Sequence, residues 1–267
     1  FVTLVDWDPE AELKIAAAAL YAVSELPDAE LLRIARSMTR SERAEIIASL
    51  VGDRANRRHR PGRAMERTTY RFDVTCDIGA FRDLQRHRLM TLEWQRYTTR
   101  LGYDLPAEVE ELGLADEWHR LMAQSLTFYE ELRSDLGADV AQYVVPFAFN
   151  VRFVMEMNPR QAFHLIELRS QAAGHPAYRR VAHEMHRAID EVVHRVAEHG
   201  KLCGAPVNLA VVSVAVSPQH EFFECEKRED ADEEGAERVV RVELAQRTRK
   251  QRQKGDAEQR THRIRNQ

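Results

Sequence analysis

The stretch Arg86–His87–Arg88 places three cationic or cationisable side chains next to one another. Such groups repel each other, so a chain that keeps them beside an apolar helical segment is expected to use them to hold an anion, such as a phosphate group or an electron-rich ring. The alternative is a solvated helix end, where positive charge complements the partial negative charge of the helix C-terminus. Both interpretations fit the triplet alone, and the rest of the chain has to decide between them.

Histidines near residue 190 suggest a second kind of chemistry. His183, His186, Asp190 and His194 fall on one face of a helical pattern, as the ligands of a metal ion would have to. That face lies opposite the apolar residues of the same helix, so it is expected to be solvated, and the spacing differs from the His-Glu-x-x-His motif of zinc enzymes. We therefore expect no metal site.

Two basic stretches raise nucleic-acid binding as a third possibility. One is the loop 54–63, which contains five arginines, and the other is the tail at 247–265. No aromatic residue interleaves the tail, so it offers no surface on which bases could stack. A run of charge is more often a solvated segment, and we do not expect a nucleic-acid partner.

Composition limits the class of protein. The chain has 267 residues, 44% of them apolar, a formal net charge of -4 and three cysteines without a CxxC pair. These values describe a globular, cytoplasmic protein with a core, and they give no global charge suited to a membrane or nucleic-acid surface. No apolar run reaches the roughly 18 residues of a membrane span, and no signal-peptide pattern is present. The first residue is Phe1 and not Met, which is consistent with a piece of a longer protein.

Periodicity predicts an α+β arrangement of strands and helices. Strands are predicted at 1–5, 68–75 and 147–157, and the second of these alternates between apolar and polar residues. Asp8 is a candidate N-cap of the first helix, and either Thr39 or Ser41 could cap the third. A further helix is predicted at 78–87, so that it ends in the Arg-His-Arg triplet. Later helices are predicted at 115–136, 158–169 and 176–198.

The last part of the chain changes character. After Phe223 there is no aromatic residue, and an acidic run at 226–237 is followed by a basic one. So little apolar surface cannot offset the entropy of ordering the chain. We predict a folded domain over residues 1–199 and a charged, low-complexity, disordered tail over 200–267, although 207–216 is strand-like.

Spaced elements of the chain resemble the flavin-dependent thymidylate synthase family, ThyX, over roughly residues 1–198. The resemblance rests on the strand and helix at 1–21, Glu66 ahead of the alternating strand, the triplet with Arg96–Tyr97 downstream, and the segment 144–169. It implies an α+β fold with a mixed sheet and packed helices, assembled as a homotetramer with sites at subunit junctions. It also implies the conversion of dUMP to dTMP, with FAD as cofactor and methylenetetrahydrofolate and NADPH as co-substrates.

The resemblance implies roles for individual residues as well. The residues implied for the flavin are Arg86, His87, Arg88, Glu66 and Asn158. Those implied for the nucleotide are Arg96, Arg152 and Arg169, and Arg169 is also the implied catalytic residue. Arginine suits both tasks because its planar guanidinium offers paired donors to phosphate and to uracil-type acceptors. The implied mechanism needs no nucleophile from the protein, only positioning and electrostatics.

The sequence departs from the family pattern around the nucleotide. Family members place a Ser after the triplet and seven intervening residues, where this chain has Arg96, and a Gln where it has Asp83. These departures leave a second interpretation open, namely a catalytically weakened copy that binds flavin or nucleotide without turnover. Arg152 stands in an otherwise apolar strand, so a partner is expected for it, because an unpaired buried guanidinium is costly.

Overall fold

A four-stranded sheet forms the centre of the computed structural model, which describes residues 1–54 and 57–203, with side chains up to Val192. The strands are β1 (Val2–Trp7), β2 (Tyr70–Asp77), β3 (Thr91–Trp94) and β4 (Asn150–Met157). Their order across the sheet is β1-β2-β4-β3. All three pairings are antiparallel. The predicted α+β class is confirmed, and the sheet runs antiparallel throughout rather than in mixed directions.

Helices connect successive strands and follow the last one. In chain order they are α1 (Ala11–Tyr21), α2 (Asp28–Ser37), α3 (Arg40–Val51), α4 (Ile78–Leu84), α5 (Ala107–Glu111), α6 (Ala115–Leu136), α7 (Ala138–Ala141), α8 (Pro159–Arg169) and α9 (Pro176–Cys203). The bounds predicted for α6 are confirmed, and α9 continues past the predicted end at 198.

The sheet has one covered face and one open face. Alternate residues of β2 are buried, because successive side chains of a strand point to opposite faces. The buried set includes Tyr70, Phe72 and Val74. Below it, Phe81 of α4 packs against Phe153 of β4 with 4.7 Å between ring centroids. This apolar layer fixes α4 to the sheet and so determines where the residues after α4 can lie.

Helix starts are set by local capping groups. Thr39 caps α3 in a capping box with Glu42, which decides between the two predicted caps. Asp8 is not the N-cap of α1 that it was predicted to be, because α1 begins three residues later. The Asp8 carboxylate instead accepts a hydrogen bond from the Glu10 N–H and pairs with Lys14. Asn158, where the last helix but one was predicted to start, caps α8 by accepting a hydrogen bond from the Gln161 N–H at 2.9 Å.

One prediction at the triplet is wrong, and one strand after it was missed. Helix α4 ends at Leu84, so the triplet follows the helix instead of finishing it. Strand β3 was not predicted; it pairs with β4 from Thr91 opposite Glu156 to Trp94 opposite Phe153. The predicted tail beyond 203, its strand-like segment 207–216 and the side chain of His194 lie outside the described residues.

Candidate functional site

One end of the sheet gathers most of the predicted flavin residues. Strand β2 begins there and β4 ends there, since Tyr70 pairs with Met157. Asn158 follows β4 directly and opens α8, while Glu66 lies four residues before β2. The turn after α4 reaches the same place, because it forms side-chain contacts with α8. Residues that are far apart in the sequence therefore meet beside the first turns of α8.

The three residues of the triplet point in alternating directions. Arg86 and Arg88 are exposed, whereas His87 between them is only 8% exposed. A hydrogen bond from the His87 N–H to the Leu84 carbonyl, 3.2 Å long, turns the chain so that the imidazole enters the protein. The two arginines remain open to an anion from solvent, although Arg86 lies 3.3 Å from the Asp83 carboxylate.

His87 uses both ring nitrogens inside the protein. The Arg169 Nε–H donates to His87 Nε2 at 3.0 Å, and the amide of Gln161 lies 3.4 Å from Nδ1. Burial, together with the nearby charges of Arg169 and His164, lowers the pKa of His87 to about 4. The imidazole is therefore neutral near pH 7 and presents no positive charge to an anion.

Arg169 is held on several sides. Its Nη2 donates to the Asp83 carbonyl at 2.6 Å, and its Nη1 lies 3.7 Å from the Asp83 carboxylate. The guanidinium carbon lies 5.1 Å from the centre of the Tyr178 ring, a cation–π distance. The side chain is 13% exposed. We call Asp83, His87, Gln161 and Arg169 the α8 cluster, because two of its members belong to that helix.

Glu66 connects the basic loop to α8. Its carboxylate accepts hydrogen bonds from Arg160 at 2.8 Å and from Arg63 at 3.1 Å. Arg160 also donates through Nε to the Pro61 carbonyl at 2.9 Å. Burial acts to raise the pKa of Glu66, but the hydrogen bonds and charges of Arg63 and Arg160 together outweigh it, so the pKa is lowered. Glu66 is thus an ionised anchor for the loop in the described structure.

A second ion pair fastens the same loop more deeply. Both guanidinium ends of Arg54 meet the two carboxylate oxygens of Glu167, at 2.6 and 2.7 Å. The side chains are 8% and 15% exposed, respectively. Beside this pair, burial lowers the pKa of His164, and the charges of Arg60 and Arg57 lower it further. The loop therefore brings positive potential to the side of α8, which suits an anionic ligand.

Arg152 and Arg96, which we call the outer arginines, lie elsewhere. Arg152 belongs to the open face of the sheet and is 47% exposed. The partner expected for it is the Thr75 hydroxyl, to which it donates at 3.3 Å. Arg96 is 65% exposed and pairs with Asp139 at 2.7 Å. Arg152 is five residues from Met157 along β4, or about 17 Å at about 3.4 Å per residue. Among the described residues, no hydrogen bond or ion pair joins an outer arginine to the α8 cluster.

Sequence reasoning missed several partners in the α8 cluster. Gln161 is buried in the first turn of α8, and a polar residue ahead of the apolar Ala162 and Phe163 is the signal that could have indicated it. Tyr178 left no comparable signal, since its contact with Arg169 depends on how α9 packs. Among the described residues, no group of three or more His, Cys, Asp or Glu side chains could hold a metal ion. None of the helices in the described ranges combines the length and apolarity needed to cross a bilayer.

The fold is an antiparallel sheet with packed helices and a cationic surface beside α8, and sequence comparison gives the family. The chain belongs to the thymidylate synthase complementing protein family, ThyX, whose sequence profile matches residues 3–193. A UPF0159 protein of Chlamydia muridarum is 39% identical over 188 residues, which cover 70% of this chain and 35% of that protein. The chain spans between 34% and 39% of the length of the curated relatives it matches.

Solved structures share the fold. A UMP/dUMP methylase, PolB from Streptomyces cacaoi bound with 5-Br dUMP, has a TM-score of 0.54 at 20% identity, covering 72% of this chain and 90% of that one. The flavin-dependent thymidylate synthase ThyX from Helicobacter pylori, complexed with FAD and dUMP, has a TM-score of 0.46 at 22% identity, covering 70% and 92%. The first of these likenesses identifies the fold of the present chain.

Proposed function

We propose that this chain binds FAD and dUMP and methylates dUMP to dTMP, with methylenetetrahydrofolate as carbon donor and NADPH as reductant. The observation that carries the proposal is that the turn holding Arg86 and Arg88 contacts α8 through His87, within the segment that matches the family. Asn158 opens that helix and Arg169 ends it. The complexes of PolB with 5-Br dUMP and of the Helicobacter pylori enzyme with FAD and dUMP support the choice of ligands.

The residues at this end fit a flavin dinucleotide. Arg86 and Arg88 are exposed cations two residues apart in the segment after α4, suited to the two charges of a pyrophosphate. The side-chain oxygen of Asn158 accepts the hydrogen bond of the helix cap, so the side-chain nitrogen remains able to donate to an acceptor on the flavin ring. Glu66 contributes by keeping Arg160 and the loop in place. When bound, the flavin supplies the redox chemistry, and these residues orient it.

Arg169 fits the role of the catalytic residue. A guanidinium has five N–H groups, and the contacts to His87 and the Asp83 carbonyl use only two of them. The remaining N–H groups can hold the nucleotide and stabilise negative charge that develops on the pyrimidine as its C5 position reacts. Because the contacts to His87, Asp83 and Tyr178 fix the guanidinium beforehand, little reorganisation is needed during the reaction.

The outer arginines fit the same site only if subunits share it. Among the described residues, no hydrogen bond or ion pair joins Arg96 or Arg152 to the α8 cluster, and each has partners of its own. Helix α6 also leaves Leu121, Leu126 and Phe128 about half exposed, which is an apolar surface suited to a second copy. We therefore propose a cytoplasmic homo-oligomer, a tetramer, in which the outer arginines of one subunit complete the nucleotide site of another.

Two assays on the purified chain test the proposal. FAD addition is expected to give the two visible absorption bands of bound flavin, shifted from those of free FAD. With NADPH and methylenetetrahydrofolate present, dUMP labelled with tritium at C5 is expected to release the label to water, since methylation replaces that hydrogen. A protein that leaves the FAD spectrum unchanged contradicts the proposal, because a flavin site is its first requirement.

A weakened copy of the enzyme is the second candidate. Arg96 stands where the family has Ser, and it is paired with Asp139. Asp83 stands where the family has Gln, and its carboxylate lies near both Arg86 and Arg169, where it competes with a phosphate group for the same donors. Flavin binding without tritium release under the same conditions would favour this candidate.

A further inference from the structure

The contacts of His87 constrain which of its nitrogens carries the hydrogen. Arg169 can only donate, so the lone pair that receives its Nε–H must lie on His87 Nε2. A neutral imidazole has one N–H, and it must then be on Nδ1. One hydrogen bond thereby fixes the buried ring in a single tautomer, because the bond made by one ring nitrogen determines which nitrogen carries the hydrogen.

The same constraint applies to Gln161. With a hydrogen on Nδ1, the group of Gln161 that faces the ring has to accept, so the carbonyl end of the amide lies there after a half-turn about its last bond. Gln161 is itself buried in the first turn of α8. The chain of contacts therefore runs in one direction, from Arg169 as donor to His87 and from His87 as donor to Gln161.

The position of the hydrogen bond on Arg169 matters for a ligand. His87 holds the Nε–H, at the stem of the guanidinium, and the Asp83 carbonyl holds one Nη2–H. The Tyr178 ring lies against the guanidinium at 5.1 Å. These three contacts fix the plane of the guanidinium and leave Nη1 as the end with the fewest short contacts. Without His87 the Arg169 side chain could rotate about the bonds next to Nε, and Nη1 would no longer point in a defined direction.

We propose that His87 is a positioning residue: as a neutral Nδ1–H imidazole it orients the guanidinium of Arg169 toward the nucleotide and does not itself hold the flavin. The burial of His87 between two exposed arginines supports this division of labour within the triplet. As far as the ligand is concerned, the inference rests on the proposed function. The hydrogen bond and the tautomer are properties of the protein alone and can be tested without ligand.

The first experiment measures the tautomer. Long-range proton–nitrogen correlation spectra of the histidine-labelled chain, without ligand near pH 7, are expected to show His87 as the Nδ1–H form. The His87→Gln variant assigns the signal. A hydrogen on Nε2 would overturn the inference, because Arg169 could not then donate to that nitrogen.

The second experiment separates positioning from flavin binding. His87→Gln keeps an acceptor near the position of Nε2, whereas His87→Leu removes it at similar size. His87→Leu is expected to weaken dUMP binding about ten- to a hundredfold while FAD affinity stays near that of the unaltered chain. His87→Gln is expected to restore most of the dUMP affinity. Loss of FAD in both variants would show that His87 holds the flavin directly and would overturn the inference.

Two controls keep the result interpretable. His164→Gln changes a ring 5.7 Å from His87 and is expected to leave both affinities unchanged. The double variant His87→Leu/Arg169→Ala is expected to bind dUMP no more weakly than Arg169→Ala alone, because His87 acts through Arg169. Additive losses would contradict that. If the unaltered chain bound neither ligand, the proposed function would fail, and the tautomer would still decide for or against the His87–Arg169 contact.

Discussion

Arg169 and Arg152 are both candidates for the nucleotide, and the structure treats them differently. The Arg169 side chain is 13% exposed. Its Nε donates to His87, its Nη2 donates to the Asp83 carbonyl, and its guanidinium plane lies against the Tyr178 ring. Arg152 is 47% exposed, donates to one hydroxyl and lies 3.9 Å from the Asp73 carboxylate. One guanidinium is fixed before any ligand arrives, and the other has freedom to move.

This difference separates two tasks within one proposed site. A fixed guanidinium loses little entropy on binding and can be aimed at a particular atom. An exposed one, like Arg152 or Arg96, attracts a phosphate group from solvent but is screened by water and salt. We infer that the α8 cluster gives geometry and the outer arginines give charge. The predictions below test that contrast, from the largest expected effect to the smallest.

The largest effect is expected on stability, at the ion pair that fixes the basic loop to α8. Arg54→Met leaves the Glu167 carboxylate buried without its partner, and removing one member of a buried pair costs about 3–5 kcal/mol. The matched change at an exposed arginine, Arg152→Met, is expected to cost less than about 1 kcal/mol. Urea unfolding of the two variants measures both. Equal losses would show that the two regions are held alike.

A pH effect of similar size is expected from His87. Its folded pKa of about 4 lies below its ordinary value of 6.5, so between these pH values the unfolded chain binds the proton more readily than the folded one. The contribution to stability is therefore complete above about pH 6.5, falls as the pH drops toward 4 and then levels off, in total on the order of 3 kcal/mol.

The groups that set this shift are known. Burial is the main cause, and Arg169 and His164 of α8 face the ring. Unfolding free energies measured from pH 4 to pH 7 are expected to vary less steeply in His87→Gln than in the unaltered chain. An identical pH profile in the variant would mean that His87 does not titrate in this way.

Ligand binding is expected to divide between two arginines. Arg86→Ala is expected to lose FAD affinity, whereas Arg169→Ala is expected to keep FAD and lose dUMP. Each lost charge-assisted contact is worth about 1.5–3 kcal/mol, or roughly ten- to a hundredfold in affinity. Flavin absorbance during titration with either ligand distinguishes the two outcomes. Loss of FAD in the Arg169 variant with dUMP affinity intact would show that these roles are assigned to the wrong residues.

The smallest effect is expected at Arg96. Arg96→Ala is expected to weaken dUMP binding by less than about tenfold, and the loss is expected to shrink further at high salt because the side chain is exposed. Asp139→Asn removes the ion-pair partner but keeps the cation, so it serves as the matched control and is expected to leave dUMP binding intact. If both variants lost dUMP affinity equally, dUMP binding would depend on the Arg96–Asp139 ion pair and not on the charge of Arg96 itself.

The sequence predicts the parts of this site that depend on neighbouring residues. Asn158 followed by Pro159 predicts the start of α8, because the cap and the proline act within one turn. Alternation at 68–75 predicts the faces of β2 for the same reason. Strand β3 was missed because three of its four residues are exposed, so no alternation marks it and its existence depends on pairing with β4.

Contacts between distant residues account for the rest. Arg169 and His87 are 82 positions apart, and nothing near either residue indicates their hydrogen bond. The end of α4 at Leu84 has the same origin, since the chain has to leave the helix for His87 to turn inward. Apolar neighbours of Arg152 indicated that it needs a partner but not which face of β4 it lies on, because the open face depends on the helices that pack below the sheet.

Mixing two variants tests the central claim, that the α8 cluster of one subunit and the outer arginines of another form one site. Arg169→Ala and Arg152→Ala are each expected to bind dUMP poorly. Mixed and allowed to exchange subunits, they are expected to recover about a quarter of the sites, because a mixed pair contains one site with neither substitution. Stoichiometry of dUMP binding measures this. No recovery after confirmed exchange would contradict the account, because it would place both arginines of each site in the same chain.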